Sequence, residues 1–352
     1  MDDTRYPSAA LHDFGTRLLR GAGLPDERAR VVADVLVEGD LLGHTTHGLD
    51  LLARYLRELD EGRMAKDGEP RTLLDRGSAL TWDGCRLPGP WLVKRAIAAA
   101  RERLAAHPAV TVVVRRSHHI GCLQAYLEPV AADGLVILLT CSDPSTGGVT
   151  PHGGVASRIT PNPIAAGFPT EGDPVLIDVS MSTTTNAMTR RLYDAGERLP
   201  GPWLVGPDGR ATDDPAVLFG DRPGAVLPLG GLDLGHKGFA LALLVEALTS
   251  GLAGHGRADE PKEWGASVFL QLLDPGGFGG RDAFVREMRH LAELSRATPV
   301  PAGRPPVRLP GEAALARRAR QLREGVSLHA TILPALQPWA ERLGVPLPAP
   351  LS

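Results

Sequence analysis

From Leu11 to Gly62 every apolar pattern in the chain is helical, and no strand signal occurs before about residue 75. Leu11, Phe14, Leu18 and Leu19 share one helical face, and Val31, Val32, Val35 and Leu36 form a second stripe. A third helix from about Leu49 places Leu52, Tyr55, Leu56 and Leu59 together and ends near Gly62. Asp26, following Pro25, reads as the N-cap of the second helix.

Beyond residue 75 the pattern changes. Trp91 to Ala106 reads as a helix, and Val110 to Val114 is a short β-branched run that fits a buried strand. Leu135 to Thr140, Val175 to Asp178 and Val268 to Leu272 are further strands, with an apolar helix, Phe239 to Leu252, between the last two. Helices return at Ala283 to Arg296 and Glu312 to Arg323, separated by the proline-rich stretch Pro299 to Pro310. A chain of 352 residues exceeds what one hydrophobic core usually supports. The expected division is a helical domain built from both termini, residues 1–74 plus 281–352, around an α/β domain of residues 75–280.

Bulk properties narrow the function. Hydrophobic residues at 43% and charged residues at 22% describe an ordinary globular protein. With a net charge of -3 and no dense basic run, the electrostatic footprint of a nucleic-acid binder is missing. The N-terminus lacks the basic and apolar regions of a secretory signal, and the most apolar helix is interrupted by Glu246, Ser250 and Gly251. Cys85, Cys122 and Cys141 are an odd number without CxxC spacing, which points away from a disulfide framework. A soluble cytoplasmic protein is expected, with no membrane or nucleic-acid partner.

Nucleotide signatures of the common kinds fail. No GxGxxG opens a strand-to-helix turn. Gly230 to Gly238 has His236 where a Walker A motif needs lysine, and Gly238 where it needs Ser or Thr. This stretch reads either as a phosphate-holding loop that opens a helix at Phe239 or as a plain glycine-rich turn. His44 and His47, and His118 and His119, suit general acid–base work or structural hydrogen bonding. HExxH is absent and no third ligand has metal-site spacing, so no metal is expected. Cys122 near His119 admits a cysteine hydrolase, but sequence shows neither its oxyanion hole nor an orienting partner.

Six segments in order give the chain its resemblance. They are Asp40 to Gly48 followed by Arg54 and Tyr55, Arg116 to Gly121, Thr160 to Pro163, Leu176 to Ser180, Leu227 to Gly231 with Gly235 to Gly238, and Leu309 to Glu312. Together they resemble the malate/L-lactate dehydrogenase family, which includes ureidoglycolate, sulfolactate and diketogulonate dehydrogenases and cyclic imine reductases. The resemblance implies a non-Rossmann, mixed-sheet α/β cofactor domain of the L-sulfolactate dehydrogenase type, a homodimer, NAD or NADP as cofactor and a small-molecule substrate. It implies that His47 exchanges a proton with the carbonyl oxygen or imine nitrogen while Thr46 orients it, with His119 as the other candidate for that role. His119, Ile120, Gly121, Cys122, Leu123, Ser142, Asp178, Val179, Ser180, His236, Lys237, Leu309, Pro310, Gly311 and Glu312 would line the cofactor.

Departures fall on the substrate side, where Leu51, Arg54, Pro161 and Asn186 are the expected lining. Leu51 stands where many members carry an arginine for the substrate carboxylate, and Arg54 is one turn further along. Pro161 replaces the threonine of the Thr-Asn-Pro turn. Met188 stands where imine reductases of the family carry an aspartate. The substrate implied is a 2-oxo or 2-hydroxy acid, or a related carbonyl compound, other than simple malate or lactate. A cyclic imine and a nucleotide-binding protein without catalysis are the alternatives.

Overall fold

The computed structural model describes residues 4–351. Its helices are α1 (Ser8–Gly21), α2 (Asp26–Leu42), α3 (Leu52–Asp60), α4 (Gly89–Arg103), α5 (Glu128–Ala132), α6 (Asn186–Asp194), α7 (Gly231–Glu246), α8 (Arg281–Arg296), α9 (Glu312–Glu324) and α10 (Ile332–Leu343). The strands are β1 (Arg5–Tyr6), β2 (Arg71–Asp75), β3 (Ala79–Asp83), β4 (Ala109–Ser117), β5 (Val136–Ser142), β6 (Ile164–Phe168), β7 (Val175–Val179), β8 (Leu204–Val205), β9 (Ala211–Thr212), β10 (Ala225–Val226), β11 (Ala266–Leu273) and β12 (Val326–Ser327).

The central sheet runs β2-β3-β4-β11-β5-β6-β7. Only β3 and β4 are parallel, so the sheet is mixed, as expected, and not a doubly wound parallel one. Its middle strands are covered on both faces, which is why they read as continuous apolar runs. Val112, Val114, Val268, Leu270 and Leu272 pack with Trp91, Leu92 and Ala96 of α4 on one face. Val113 and Phe269 meet Leu248 and Ala253 on the other. A small sheet, β10-β8-β9, stands apart.

A second core is mainly helical and joins the two ends of the chain. Leu11, Phe14, Leu18 and Leu19 of α1 pack with Leu52, Tyr55 and Leu56 of α3 and with Ile332, Leu336 and Ala340 of α10. Strand β1, which helical periodicity could not foresee, pairs with β12 and closes this unit. Helix α2 serves both cores: Val32, Ala33 and Leu36 face the helical one, and Val35 and Leu42 the sheet side. Its C-terminus therefore lies where the two meet.

Two expectations are corrected. Pro25 occupies the N-cap of α2, and Asp26 is already inside the first turn, where its carboxylate accepts from Arg30 Nε at 2.7 Å. The apolar helix starts at Gly231 rather than Phe239 and ends in a π-turn over Ala247–Gly251. Gly235, His236, Lys237 and Gly238 are thus helical, with their N–H groups committed to the helix, and they cannot form a phosphate-holding loop. Gly235 and Gly238 are there for close packing, because a Cβ at either would meet Pro228 or Leu229.

Candidate active site

Helix α2 ends because Gly43 takes a left-handed conformation, φ 96°, and His44 N–H turns back to Gly39 O at 2.8 Å. The last carbonyls, of Asp40 and Leu41, accept from Gln321 Nε2 of α9, both at 2.9 Å. The following turn carries Thr46 and His47, and it returns to the helix through Leu49 N–H, which donates to buried Asp40 Oδ2 at 2.7 Å. From outside, Arg191 of α6 clamps the same turn, donating to Thr45 Oγ1 at 2.9 Å and Thr45 O at 3.1 Å and pairing with Asp50 at 3.4 Å.

Thr46 Oγ1 lies 2.9 Å from His47 Nδ1, a hydrogen-bond distance. Burial, and secondarily the nearby His44, push the His47 pKa down to about 4. The second histidine arrives from the end of β4: the His119 ring centroid is 5.8 Å from that of His47. Gly121 N–H donates to His119 Nδ1 at 3.2 Å, which leaves the ring proton of neutral His119 on Nε2. Tyr55 Oη sits 2.9 Å from the same Nδ1 and 3.0 Å from His119 O. Burial first, and then the charges of His47, His118 and Arg54, hold His119 well below the ordinary imidazole range.

Trp264 completes this wall. Its indole stacks on His119, centroids 4.7 Å apart, and carries the Arg54 guanidinium 3.4 Å from its centroid. Trp264 gave no local sequence signal. Neither did Arg191, nor the pairing of buried His118 with Glu58 at 3.5 Å, which makes His118 a structural residue.

Several expected cofactor residues meet on the adjoining side. Gln124 N–H donates to Asp178 Oδ2 at 3.0 Å, and Gln124 Oε1 lies 2.7 Å from His44 Nε2. The Leu309 to Glu312 turn packs on the same strand: Leu176 N–H donates to Pro310 O at 3.0 Å, and Gly311, φ 97°, lies against Leu176. Cys122, Ile120 and Leu123 are buried beneath it, and Val179 and Ser180 continue the strand end. Others lie elsewhere. Ser142 is buried with its hydroxyl on Thr249 at 2.9 Å and Ser250 at 3.2 Å. Pro161 O accepts from Met181 N–H at 2.7 Å, Asn186 opens α6 against Gly148, and His236 and Lys237 are exposed on α7. A carboxylate, a glutamine-held imidazole and apolar Ile120 and Leu123 are a donor set that fits a nicotinamide ribose and ring.

The model of the malate/L-lactate dehydrogenase family matches residues 6–337. The chain belongs to this family. It is 34% identical over 338 residues to L-lactate dehydrogenase of Cupriavidus necator, covering 94% of this chain and 95% of that one. It is 32% identical over 335 residues to (2R)-3-sulfolactate dehydrogenase (NADP(+)) of Chromohalobacter salexigens, covering 92% and 94%. Its fold is that of the sulfolactate dehydrogenase from Methanocaldococcus jannaschii, with a TM-score of 0.86 at 22% identity over 97% and 98% of the two chains. As a member of this dehydrogenase family, the chain is an oxidoreductase that works with a nicotinamide cofactor on CH–OH or related groups.

Proposed function

We propose that this family member transfers hydride between NAD(P) and a 2-oxo/2-hydroxy acid, with His47 as the group that moves the proton. The observation that carries the choice of His47 is the Gly121 N–H donated to His119 Nδ1 at 3.2 Å. It leaves His119 with a proton on Nε2 and its one basic nitrogen already engaged, so His119 donates a hydrogen bond and takes up no proton. His47 has Thr46 Oγ1 against Nδ1, and the tautomer in which Nδ1–H donates to that oxygen leaves Nε2 as the basic nitrogen for the substrate.

The nicotinamide supplies or accepts the hydride. In the alcohol-oxidising direction, neutral His47 accepts the hydroxyl proton. In the reducing direction, a substrate carboxylate brought beside the histidine pair raises the His47 pKa, so that the imidazolium is populated and protonates the carbonyl oxygen. Arg54, fixed over Trp264, anchors that carboxylate in place of the arginine missing at Leu51. Met188 is exposed and brings no carboxylate to α6, which favours C=O over C=N substrates. Asp178, Cys122 and the Leu309 to Glu312 turn hold the cofactor, with Val179 and Ser180 at its edge. Residues 1–74 with 281–352 supply His47 and its helical support, and residues 75–280 supply His119 and the sheet.

The working unit is a homodimer. Support comes from α7, which exposes Leu232, Leu234, Leu241, Leu243 and Leu244, more apolar surface than a monomeric helix normally leaves in water. Three free thiols favour a reducing cytoplasm, and among the described residues no helix is long and apolar enough to cross a membrane.

The deciding experiment compares His47→Asn and His119→Asn on a panel of 2-oxo and 2-hydroxy acids. His47→Asn is expected to lower kcat about 10²–10⁴-fold, with NAD(P)H fluorescence titration nearly unchanged. Near-normal turnover in His47→Asn with a larger loss in His119→Asn transfers the role to His119.

A further inference from the structure

Three elements remote in sequence bring a nitrogen, a sulfur and an oxygen donor together beside the two histidines. They are His44 in the turn after α2, Cys122 at the start of the 3₁₀ turn Leu123–Tyr126, and Asp178 near the end of β7. One ligand atom from each lies within 4.8 Å of the other two. We propose that His44, Cys122 and Asp178 form a site for a borderline-soft divalent cation, zinc above all, that shares its place with the nicotinamide nucleotide.

The donor set decides the class of ion. Imidazole, thiolate and carboxylate are zinc ligands, whereas magnesium and calcium take oxygen almost throughout. Bonds of about 2.0–2.3 Å in a tetrahedron set ligand atoms roughly 3.3–3.7 Å apart. The observed separations therefore close with side-chain adjustments of about 1 Å. Three protein ligands leave the fourth position for water or a substrate oxygen, the arrangement of an open zinc site.

The surroundings favour a cation. Gln124 already ties two of the ligands, through Oε1 to His44 Nε2 and through its N–H to Asp178 Oδ2. That leaves the second Asp178 oxygen and one imidazole lone pair for the metal. Cys122 is only 2% exposed, whereas His44 and Asp178 are half-buried. On binding, the thiol and any proton on Asp178 leave to solvent, and zinc takes both anions without a change of oxidation state.

Mutual exclusion with the nucleotide rests on the placement of Cys122 and Asp178 at the cofactor, so the test separates the two. Metal-stripped full-length protein is titrated with Zn²⁺ against a chromogenic chelator, beside Cys122→Ser and Asp178→Asn variants checked for native circular dichroism and thermal unfolding. One zinc per chain is expected for the unmodified protein, weakened about 10–100-fold or more in either folded variant. Co²⁺ in place of zinc should give thiolate charge-transfer absorption that Cys122→Ser abolishes. Absence of stoichiometric binding, or equal binding in the folded variants, overturns the site. An NADPH fluorescence titration with and without zinc then reads the exclusion. Zinc bound at the site with NADPH affinity unchanged overturns the shared place and the cofactor reading, and leaves the metal site standing. NADPH bound with no zinc uptake does the reverse.

Discussion

Gly48, directly after His47, has no room for a side chain. Its φ of -96° lies outside the left-handed region that favours glycine. The obstacle is packing: a Cβ at Gly48 would land within the carboxyl group of Asp40. Asp40 is 2% exposed, and one of its oxygens holds Leu49 N–H at 2.7 Å. Gly48→Ala must therefore displace either the carboxyl, losing a buried hydrogen bond to a polar or charged acceptor, or the turn that carries His47. Overpacking and the lost bond together cost about 2–6 kcal/mol of stability. A displacement of His47 by about 1 Å would lower turnover on the order of 10²-fold. The informative assay is a double-mutant cycle: Gly48→Ala in the native and Asp40→Ala backgrounds, each read by denaturant unfolding and by kcat. Removing the carboxyl removes the obstacle, so Gly48→Ala should cost little in the second background. An equal penalty in both backgrounds, or full activity in Gly48→Ala alone, refutes the account.

Other outcomes follow from the same geometry. The His47 pKa is depressed to about 4, so the unfolded chain binds a proton that the native state refuses between that value and the ordinary 6.5, and native stability falls as pH drops through this window. His47→Asn should flatten that fall in urea titrations between pH 6.5 and 4; an unchanged slope places the proton elsewhere. Arg191→Met frees the turn from α6 and should lower kcat by about tenfold or more, given about 1.5–3 kcal/mol for hydrogen bonds from a charged donor; wild-type kcat would show that the clamp is idle. Leu51→Arg should raise kcat/KM for small 2-oxo acids, and unchanged or reduced activity toward them counts against the reading that Leu51 turns the site away from simple malate or lactate.

What the sequence disclosed depended on whether a pattern was local. The amphipathic stripes of α1, α2 and α3 and the apolar runs of β4, β5 and β11 were visible because each is one-sided or fully buried. Strand β2 was not, since all five of its residues are exposed at the sheet edge and carry no apolar alternation. Helix α10 was hidden by Pro334 and by Pro338 within it. The start of α7 was masked by glycines that signal a turn but serve tight packing on Pro228 and Leu229. Ordered motifs singled out His47, Thr46 and His119, and the fold brings the three together, with Thr46 and His47 in hydrogen-bond contact. Trp264, Arg191 and the His44–Gln124–Asp178 linkage were not legible, because each depends on elements that only folding brings side by side.

The antiparallel pairing of β1 with β12, and α10 seated on α1 and α3, also set an order of events during synthesis. The first sixty residues leave the ribosome with apolar faces whose covering helix is not yet made. At about 5–20 residues per second, α10 is complete roughly 14–57 s after α3. For that interval the nascent helices need a chaperone or each other. The turn bearing His47 follows the end of α2, whose last carbonyls gain the Gln321 amide only when most of the chain has been made, so a chain cut before α9 would have its central sheet and lack that support.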